Sequence, residues 1–318
     1  MPKGVLTDAL LAEYTRVAYY YYKEDMTQDQ IAKCMNMSRQ RVNRILRECL
    51  ERGIVRIFIS ESTDIALLEL ETALKKKYGL LDARVVDNAD PDEIYFDLGR
   101  TAGEYFVSIL RDNDIVGVSR GRTLAAMAQL MPPTNAENVT IVQLMGSRNQ
   151  ESSRTTVNEI VHQFAGKLGA KQNLLFAPLV VGSAEFKQSL LQDEAFQQTY
   201  NMIKASTISV VGIGNSDRAT LLYAQGGLSM DQIITLSPGQ TAVGEAVGHI
   251  FDSEGKPIHN TFRDRLVSVD LEDYLKIPKR IGVAGLPYKA AAIRSAMLGK
   301  YINILIVDTA TAKILCEM

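Results

Sequence analysis

The sequence predicts an α/β protein in which an N-terminal winged helix-turn-helix precedes a larger, Rossmann-like domain with a mostly parallel sheet. Three features predict this fold: two capped helices around a turn between Thr27 and Arg47, apolar runs alternating with helical stretches from about residue 83, and small-residue loops after those runs. At 318 residues the chain can hold both parts. We expect residues 1–60 to form the helix-turn-helix, 61–80 a linker or dimerisation helix, and 81–318 the sheet domain.

The segment that begins at Thr27 has the N-cap of a first helix, a turn residue and the N-cap of a second helix, as in a helix-turn-helix. Thr27 is a good N-cap, and Gln30 can close a capping box with it. Ala32 is small enough to let the next helix cross closely. Asn36 tolerates the left-handed backbone that the sharp turn needs, and Ser38 caps the second helix.

The second helix is apolar on one face and basic elsewhere. Val42, Ile45 and Leu46 recur at helical spacing and should face the core. Arginine reads guanine, glutamine and asparagine read adenine, and any of these side chains can contact phosphates in the major groove of duplex DNA. The predicted DNA-binding residues are Thr27, Gln28, Ser38, Arg39, Gln40, Arg41, Asn43, Arg44 and Arg47.

The charge distribution supports DNA as the partner of this segment. Residues 27–59 carry a balance of +4, whereas the whole chain carries −2, so that the remainder is acidic. Positive charge is therefore concentrated where phosphates would lie. The alternatives are a helical hairpin with a solvated charged face, or a helix-turn-helix that contacts only other proteins.

The elements around this segment complete a winged unit and a linker. Residues 14–22 form an aromatic-rich helix that should close a three-helix core, and Gly53 ends the second helix. Residues 54–59 alternate like a strand and are predicted to be the wing. Residues 65–78 form a helix with leucines at spacings of three and four, which either packs on its own chain or pairs with a second copy; we favour pairing, because helix-turn-helix proteins usually bind DNA as dimers.

Composition excludes several classes of protein. No apolar run approaches the roughly 20 residues that cross a bilayer, and the N-terminal residues lack a signal-peptide core, so we expect a cytoplasmic protein without membrane contact. The three cysteines have no metal-like spacing, and Cys34 and Cys49 are expected to be small buried residues. With only three histidines, the sequence predicts neither a metal site nor a cofactor.

Short apolar runs predict a parallel sheet that is covered on both faces. Four of them, at residues 115–119, 141–144, 208–211 and 281–284, are each followed by a small-residue loop and a helical stretch, and a fifth at 302–307 precedes Asp308-Thr309-Ala310. Ligands of such sheets bind at the carboxyl ends of the strands, where these loops lie.

The loops after the strands are suited to an anionic ligand. Glycine and serine at strand-to-helix turns bring backbone N–H groups to a helix N-terminus. Lys289 falls in the first turn of a helix begun by Pro287, where a cation opposes the helix dipole unless an anion is bound. Glu245 follows a glycine-rich turn and can accept hydrogen bonds from hydroxyls. A phosphate at the loops opposite a carboxylate suggests a phosphorylated sugar or polyol; the simpler alternatives are steric glycines and a solvated lysine.

Nearly the whole chain resembles the SorC family of bacterial transcriptional regulators. The motifs that carry the resemblance occur in the family's order: residues 21–32, with Met26-Thr27-Gln28; the Gly117–Thr123 loop; Val211–Gly214; Ala242–Glu245; and Gly299–Asn303 followed by Asp308–Ala312. The resemblance implies a phosphosugar-isomerase-like effector domain that has lost catalysis and senses sugar phosphates, in a homodimer or homotetramer bound to operator DNA near a carbohydrate-catabolic operon.

Position by position, the resemblance assigns the effector site to the strand-end loops. Arg120 stands where many relatives have an aromatic residue, and Glu245 where aspartate is commoner, so that ligand specificity does not carry over. The predicted effector-binding residues, with Arg148 added from its loop, are Ser119, Gly121, Thr123, Gly146, Ser147, Arg148, Gly212, Gly214, Glu245 and Lys289.

The rival function is a phosphosugar isomerase-like enzyme with an attached DNA-binding head. Such an enzyme needs an acid and a base that converge on one carbon. His249 with Asp252 is the nearest candidate pair, but Ile250 and Phe251 between them predict a strand, in which the two side chains would point to opposite faces. We therefore expect no catalysis.

Overall fold

The computed structural model describes residues 7–55, 65–87, 93–147, 156–215, 241–258 and 263–318. The chain divides into two compact units, Met1–Thr63 and Asp64–Met318. The first contains the helix-turn-helix and the second contains the sheet. Part of the predicted wing, residues 56–59, lies outside the described residues, as does Arg148.

The described part of the first unit, residues 7–55, contains three helices: α1 (Asp8–Tyr22), α2 (Gln28–Cys34) and α3 (Arg39–Glu51). The predicted capping box is present, because the Thr27 hydroxyl accepts from the Gln30 amide at 3.3 Å and the Gln30 side chain accepts from the Thr27 amide at 2.8 Å. The Ser38 hydroxyl caps α3, and Asn36 has a φ of 51° in the turn. These local predictions are confirmed.

Apolar side chains from all three helices fill the core of this unit. Val17, Ile31 and Val42 are fully buried there, and each comes from a different helix. Cys49 is also buried, but the prediction that Cys34 is buried is wrong. Ile31 and Ala32 occupy the inner face of α2, so Cys34 is turned outward. The core therefore leaves the polar face of α3 in solvent.

The second unit is built on a seven-stranded sheet whose neighbouring strands are all parallel. The strands are β1 (Asp82–Val86), β2 (Ile115–Val118), β3 (Thr140–Gln143), β4 (Lys171–Asn173), β5 (Ile208–Val211), β9 (Lys279–Val283) and β10 (Ile304–Asp308). Their order is β1-β10-β9-β5-β2-β3-β4. A small antiparallel sheet joins β6 (Gly214–Asn215), β7 (Gly244–Ala246) and β8 (His249–Phe251). The α/β fold with a mostly parallel sheet is confirmed.

Helices cover both faces of this sheet, and each face has its own apolar core. The helices are α4 (Ile65–Tyr78), α5 (Ile94–Ile109), α6 (Arg122–Leu130), α7 (Val157–Leu168), α8 (Ala184–Gln192), α9 (Glu194–Lys204), α10 (Leu271–Tyr274), α11 (Ala290–Leu298) and α12 (Thr309–Glu317). Among the described helices, none combines the length and the apolar character that spanning a membrane requires.

The predicted linker helix α4 packs on its own chain. Leu74 of this helix is fully buried, and the carboxylate of Glu71, also in α4, accepts the Val85 amide of the edge strand β1 at 3.0 Å. Ile65 and Leu68 remain exposed on its other side. Since an edge strand has unpaired backbone groups, the Glu71 contact occupies one of them. Helix α4 is thus the first element of the second unit.

Candidate functional site

The exposed face of α3 is a stripe of polar side chains. Gln40, Asn43, Arg44 and Arg47 have the i, i+3, i+4, i+7 spacing of one helix face, and all four are exposed. A stripe of this width fits the major groove, where amides and guanidinium groups meet base edges and phosphates. The remaining predicted residues of the segment either precede this stripe in sequence or, in the case of Arg41, lie within its span: Thr27, Gln28, Ser38, Arg39 and Arg41.

Two further arginines of α3 form ion pairs with carboxylates of the same unit. The Arg41 guanidinium donates to both carboxylate oxygens of Glu13 in α1, at 2.9 and 3.0 Å. Arg39 lies 3.7 Å from Asp29 in α2. The Arg41 pair connects α3 to α1, whereas the Arg39 pair is exposed and contributes little to stability; the sequence indicated neither. Arg41 therefore has a structural role in addition to any contact with DNA.

The strand order reverses between β2 and β5, and the predicted effector loops begin there. The chain leaves β2 toward β3 on one side and leaves β5 toward β9 on the other. Loops at such a reversal separate and leave a crevice outside the carboxyl ends of the strands. Ser119 and Gly212 start the two loops, and the Ser119 hydroxyl accepts the Gly212 amide at 3.3 Å. We call the loops 119–123, 212–215 and 285–289 together with Glu245 the strand-end site.

Charged side chains converge at the strand-end site. Glu245 lies in β7 opposite Gly214 of β6, and one of its carboxylate oxygens accepts the Gly248 amide at 3.2 Å. Burial raises the pKa of the Glu245 carboxyl, while Arg120 and then Lys289 act to lower it. Burial likewise lowers the pKa of Arg120, which Glu245 opposes. The carboxylate therefore lies within electrostatic range of two cations.

Lys289 is held at the site by the loop that precedes α11. Its ammonium group donates to the Ile213 carbonyl at 3.2 Å. Burial lowers the pKa of Lys289, the nearby Arg122 cation lowers it further, and Glu245 raises it. The predicted turn begun by Pro287 is a 3-10 turn, Pro287–Lys289, that leads into α11. A cation without full hydration at this position favours an anionic ligand.

The first turn of α6 adds a positively charged helix end. Gly121 is its N-cap with a φ of 142° and has no side chain to satisfy the first N–H groups. Thr123 is buried in that turn. The Arg122 guanidinium lies 4.4 Å from the ring centre of Tyr95, which holds it by a cation–π contact. Sequence reasoning missed both residues: Arg122 adjoins predicted positions, whereas Tyr95 has no local signal and reaches the site only through the fold.

The loop after β3 is different from the others. The Gly146 amide donates to the Val267 carbonyl at 2.8 Å, and the Ser147 amide donates to the Ala177 carbonyl at 2.9 Å. These two N–H groups are thus used within the protein. The structure brings Gly146 and Ser147 to the correct edge of the sheet without presenting these amides to a ligand.

The candidate catalytic pair of the rival function does not converge. His249 is buried in β8, and its Nε2 donates to the Val269 carbonyl at 2.8 Å. Burial lowers its pKa to about 4, so the imidazole is neutral at pH 7. Asp252 lies beyond the strand, where its carboxylate accepts the amides of Glu254 and Lys256, both at 2.9 Å. Each group is used in folding.

Comparison with known proteins agrees with both units. Residues 64–317 match the family described as "Putative sugar-binding domain", and residues 14–52 match region 4 of sigma-70. The chain is 34% identical to the "Deoxyribonucleoside regulator" of Bacillus subtilis, over 94% of this chain and 95% of that protein. It is 28% identical to "Transcriptional regulator LsrR" of Escherichia coli K12, over 94% and 93%. The full-length "Sorbitol Operon Regulator SorC" of Klebsiella pneumoniae has a TM-score of 0.74 and 25% identity, over 98% of this chain and 100% of that one.

The fold and the matches define the class: this is a DNA-binding transcriptional regulator with a helix-turn-helix and a sugar-binding domain. The chain belongs to the SorC family of sugar-binding transcriptional regulators. Its relatives in sequence and structure are regulators and not enzymes, which confirms the expectation that it is not an enzyme.

Proposed function

We propose that this protein regulates a carbohydrate or polyol catabolic operon, and that a phosphorylated sugar or polyol at the strand-end site controls its binding to operator DNA. The charge at the strand-end site is the observation that carries the proposal. Arg120 and Lys289 lie within electrostatic range of the Glu245 carboxylate, and Arg122 lies within range of Lys289. Three cations thus gather at these loops, and a phosphate monoester, which carries a charge of about −1.5 to −2 at pH 7, can pair with them.

The carboxylate gives the site a second specificity. Glu245 can accept hydrogen bonds from ligand hydroxyls while the cations hold the phosphate. An uncharged sugar would bring no anion to the cations, and inorganic phosphate would bring no sugar or polyol hydroxyl to the carboxylate. The names of the relatives, a deoxyribonucleoside regulator and a sorbitol operon regulator, support a ligand of the sugar or polyol class. In this proposal Ser119, Gly121, Thr123, Gly212 and Gly214 shape the ligand pocket, while Gly146 and Ser147 support it.

The first unit chooses the DNA sequence in this proposal. The stripe formed by Gln40, Asn43, Arg44 and Arg47 enters the major groove, and the ends of α2 and α3 contact phosphates. Residues 1–60 bind the operator, residues 61–80 link and residues 81–318 respond to the effector. Since one such unit covers only a half-site, we propose that the protein binds as a homodimer or homotetramer.

Ligand binding tests the effector. In a thermal-shift assay, at least one of a panel of aldose, ketose and polyol monophosphates should raise the melting temperature of the protein, and its dephosphorylated counterpart should not. Lys289→Met should weaken the best monophosphate about tenfold or more, because it removes a charge-assisted contact. Lys313→Met, an exposed lysine of α12, is the control and should bind normally. Equal binding of phosphorylated and dephosphorylated sugars would refute the proposal.

Operator binding tests the DNA-binding stripe. Fluorescence anisotropy with fragments from the protein's own operon should show specific binding that weakens with salt. Arg44→Ala or Arg47→Ala should weaken it, and loss of a phosphate contact should lower the salt slope by about 1. Arg100→Ala in α5 removes the same charge from the other unit as a control. If random DNA competes as well as every such fragment, the proposed regulation is wrong.

A further inference from the structure

The Asp308 carboxylate joins two elements that the sequence treats as separate. Asp308 ends β10 and is 3% exposed. One of its oxygens accepts the Leu286 amide at 2.8 Å and the Thr311 hydroxyl at 2.6 Å. The other oxygen accepts the Thr311 amide at 2.9 Å and so caps α12. One carboxylate therefore holds both the 285–289 loop and the start of α12.

The loop held by Asp308 has an unfavourable backbone. Leu286 has a φ of 82°, which a side chain with a Cβ adopts only when the surroundings impose it. The Lys289 amide then donates to the Leu286 carbonyl at 2.8 Å and closes the turn that carries the Lys289 side chain. A Cβ at Gly285 would collide with the Asp308 carboxylate. The position of Lys289 thus depends on Asp308.

The opposite end of α12 is bound to the helix that follows the DNA-binding unit along the chain. The Tyr78 hydroxyl of α4 donates to the Leu315 carbonyl at 2.7 Å. The Lys77 ammonium group donates to the Cys316 carbonyl at 2.8 Å. A helix of this length spans roughly 13 Å as one rigid rod. Helix α12 consequently contacts the effector loop at its N-terminus and α4 at its C-terminus.

We propose that Asp308 is a positioning residue for Lys289, and that α12 transmits the state of the 285–289 loop to α4. The inference rests on the proposed function, because it assigns the route by which an effector at that loop alters DNA binding. A ligand on Lys289 stabilises the strained loop, the loop fixes Asp308, and Asp308 fixes the first turn of α12. Tyr78 and Lys77, which bind the C-terminus of α12, then pass a shift of α12 on to α4.

Hydrogen exchange of the full-length protein tests the route without a ligand. Gly285→Ala displaces the Asp308 carboxylate and should speed exchange of the α4 amides near Tyr78 about tenfold, the effect of losing one hydrogen bond to a charged group. Gly103→Ala crowds Met131 at the α5–α6 contact instead and should leave those amides unchanged. Unchanged α4 exchange in Gly285→Ala, or an equal change in both variants, overturns the inference.

A milder variant, Tyr78→Phe, tests the same route at the contact between α4 and the C-terminus of α12. Tyr78→Phe removes one hydroxyl and should also speed exchange of the Leu286 amide, since coupling is reciprocal. With the best monophosphate of the panel, it should keep ligand affinity within about twofold but bring the ratio of operator Kd values with and without ligand toward one. Tyr200→Phe, which loses a bond to the Asp270 amide, is the matched control. The inference is overturned if Tyr78→Phe leaves unchanged either the exchange rate of the Leu286 amide or the ratio of operator Kd values with and without ligand. If no monophosphate binds, only the proposed function is refuted, because the exchange rates still test the route.

Discussion

Acid should destabilise the second unit through His249. Burial lowers the pKa of this imidazole to about 4 in the folded protein, against about 6.5 in an unfolded chain. The folded state therefore resists protonation, and the unfolded state accepts the proton first. Stability from this group is complete above about pH 6.5 and is lost as the pH falls toward 4.

The size of the loss follows from the separation of the two pKa values. A shift from about 6.5 to about 4 at about 1.36 kcal/mol per unit corresponds to about 3 kcal/mol. About half of this should be lost between pH 7 and pH 5.25, and the loss should level off below pH 4. Such a change is a large share of the stability of an ordinary domain.

Urea unfolding at several pH values, followed by circular dichroism, measures this loss. His249→Gln keeps an N–H donor for the Val269 carbonyl but does not titrate. Between pH 7 and pH 4 its free energy of unfolding should therefore fall by about 3 kcal/mol less than that of the wild type. His162→Gln, at an exposed position of α7, is the matched control and should follow the wild type. Parallel curves for the wild type and His249→Gln would refute the reasoning.

Two further substitutions test the packing that supports the sites. Thr27→Ala breaks the capping box and should cost the first unit about 1 kcal/mol, measured by urea unfolding of the full-length chain, with Gln28→Ala as a control at the neighbouring position. Arg280→Met removes a buried guanidinium that donates to the carbonyls of Lys300 and Leu275; because these acceptors lose their donor, we expect a loss of about 3 kcal/mol and a lower melting temperature in calorimetry. A neutral effect of either change would show that water replaces the lost bonds.

The helix-turn-helix could be predicted from sequence because its determinants are local. The bond between Thr27 and Gln30 spans three residues, and the left-handed conformation of Asn36 follows from its own side chain. Five strands of the sheet, β2, β3, β5, β9 and β10, are predictable for the same reason, since a short apolar run bounded by loops is visible in a small window. Residues 208–211, for example, form β5 with the predicted bounds. Strands β1 and β4 at the two edges of the sheet were not predicted.

The charged environment of the strand-end site was not predictable in this way. Lys289 and Glu245 were singled out individually, but their common electrostatic neighbourhood with Arg120 requires the strand order, which brings together loops far apart in sequence. The contact of Arg122 with Tyr95 has the same origin. The hydrogen bond from the Gly146 amide to the Val267 carbonyl joins two segments far apart in sequence. No local pattern could therefore show that this amide is already bonded within the protein.

In the proposed function, the strand-end site senses a ligand rather than performing chemistry. Arg120, Glu245 and Lys289 are partly withdrawn from water, so the proposed anionic ligand would replace part of the solvation that burial removes from the two cations. A ligand shifts a conformational equilibrium only as far as it binds one state better than the other, so the gain must depend on the position of the cations. The strained Leu286 makes the position of Lys289 conditional on its surroundings, whereas the His249 Nε2 donates to a backbone carbonyl and its imidazole is neutral at pH 7. In the proposed route, binding energy at this sheet edge is converted into a change of loop position, and from there into a change in DNA binding.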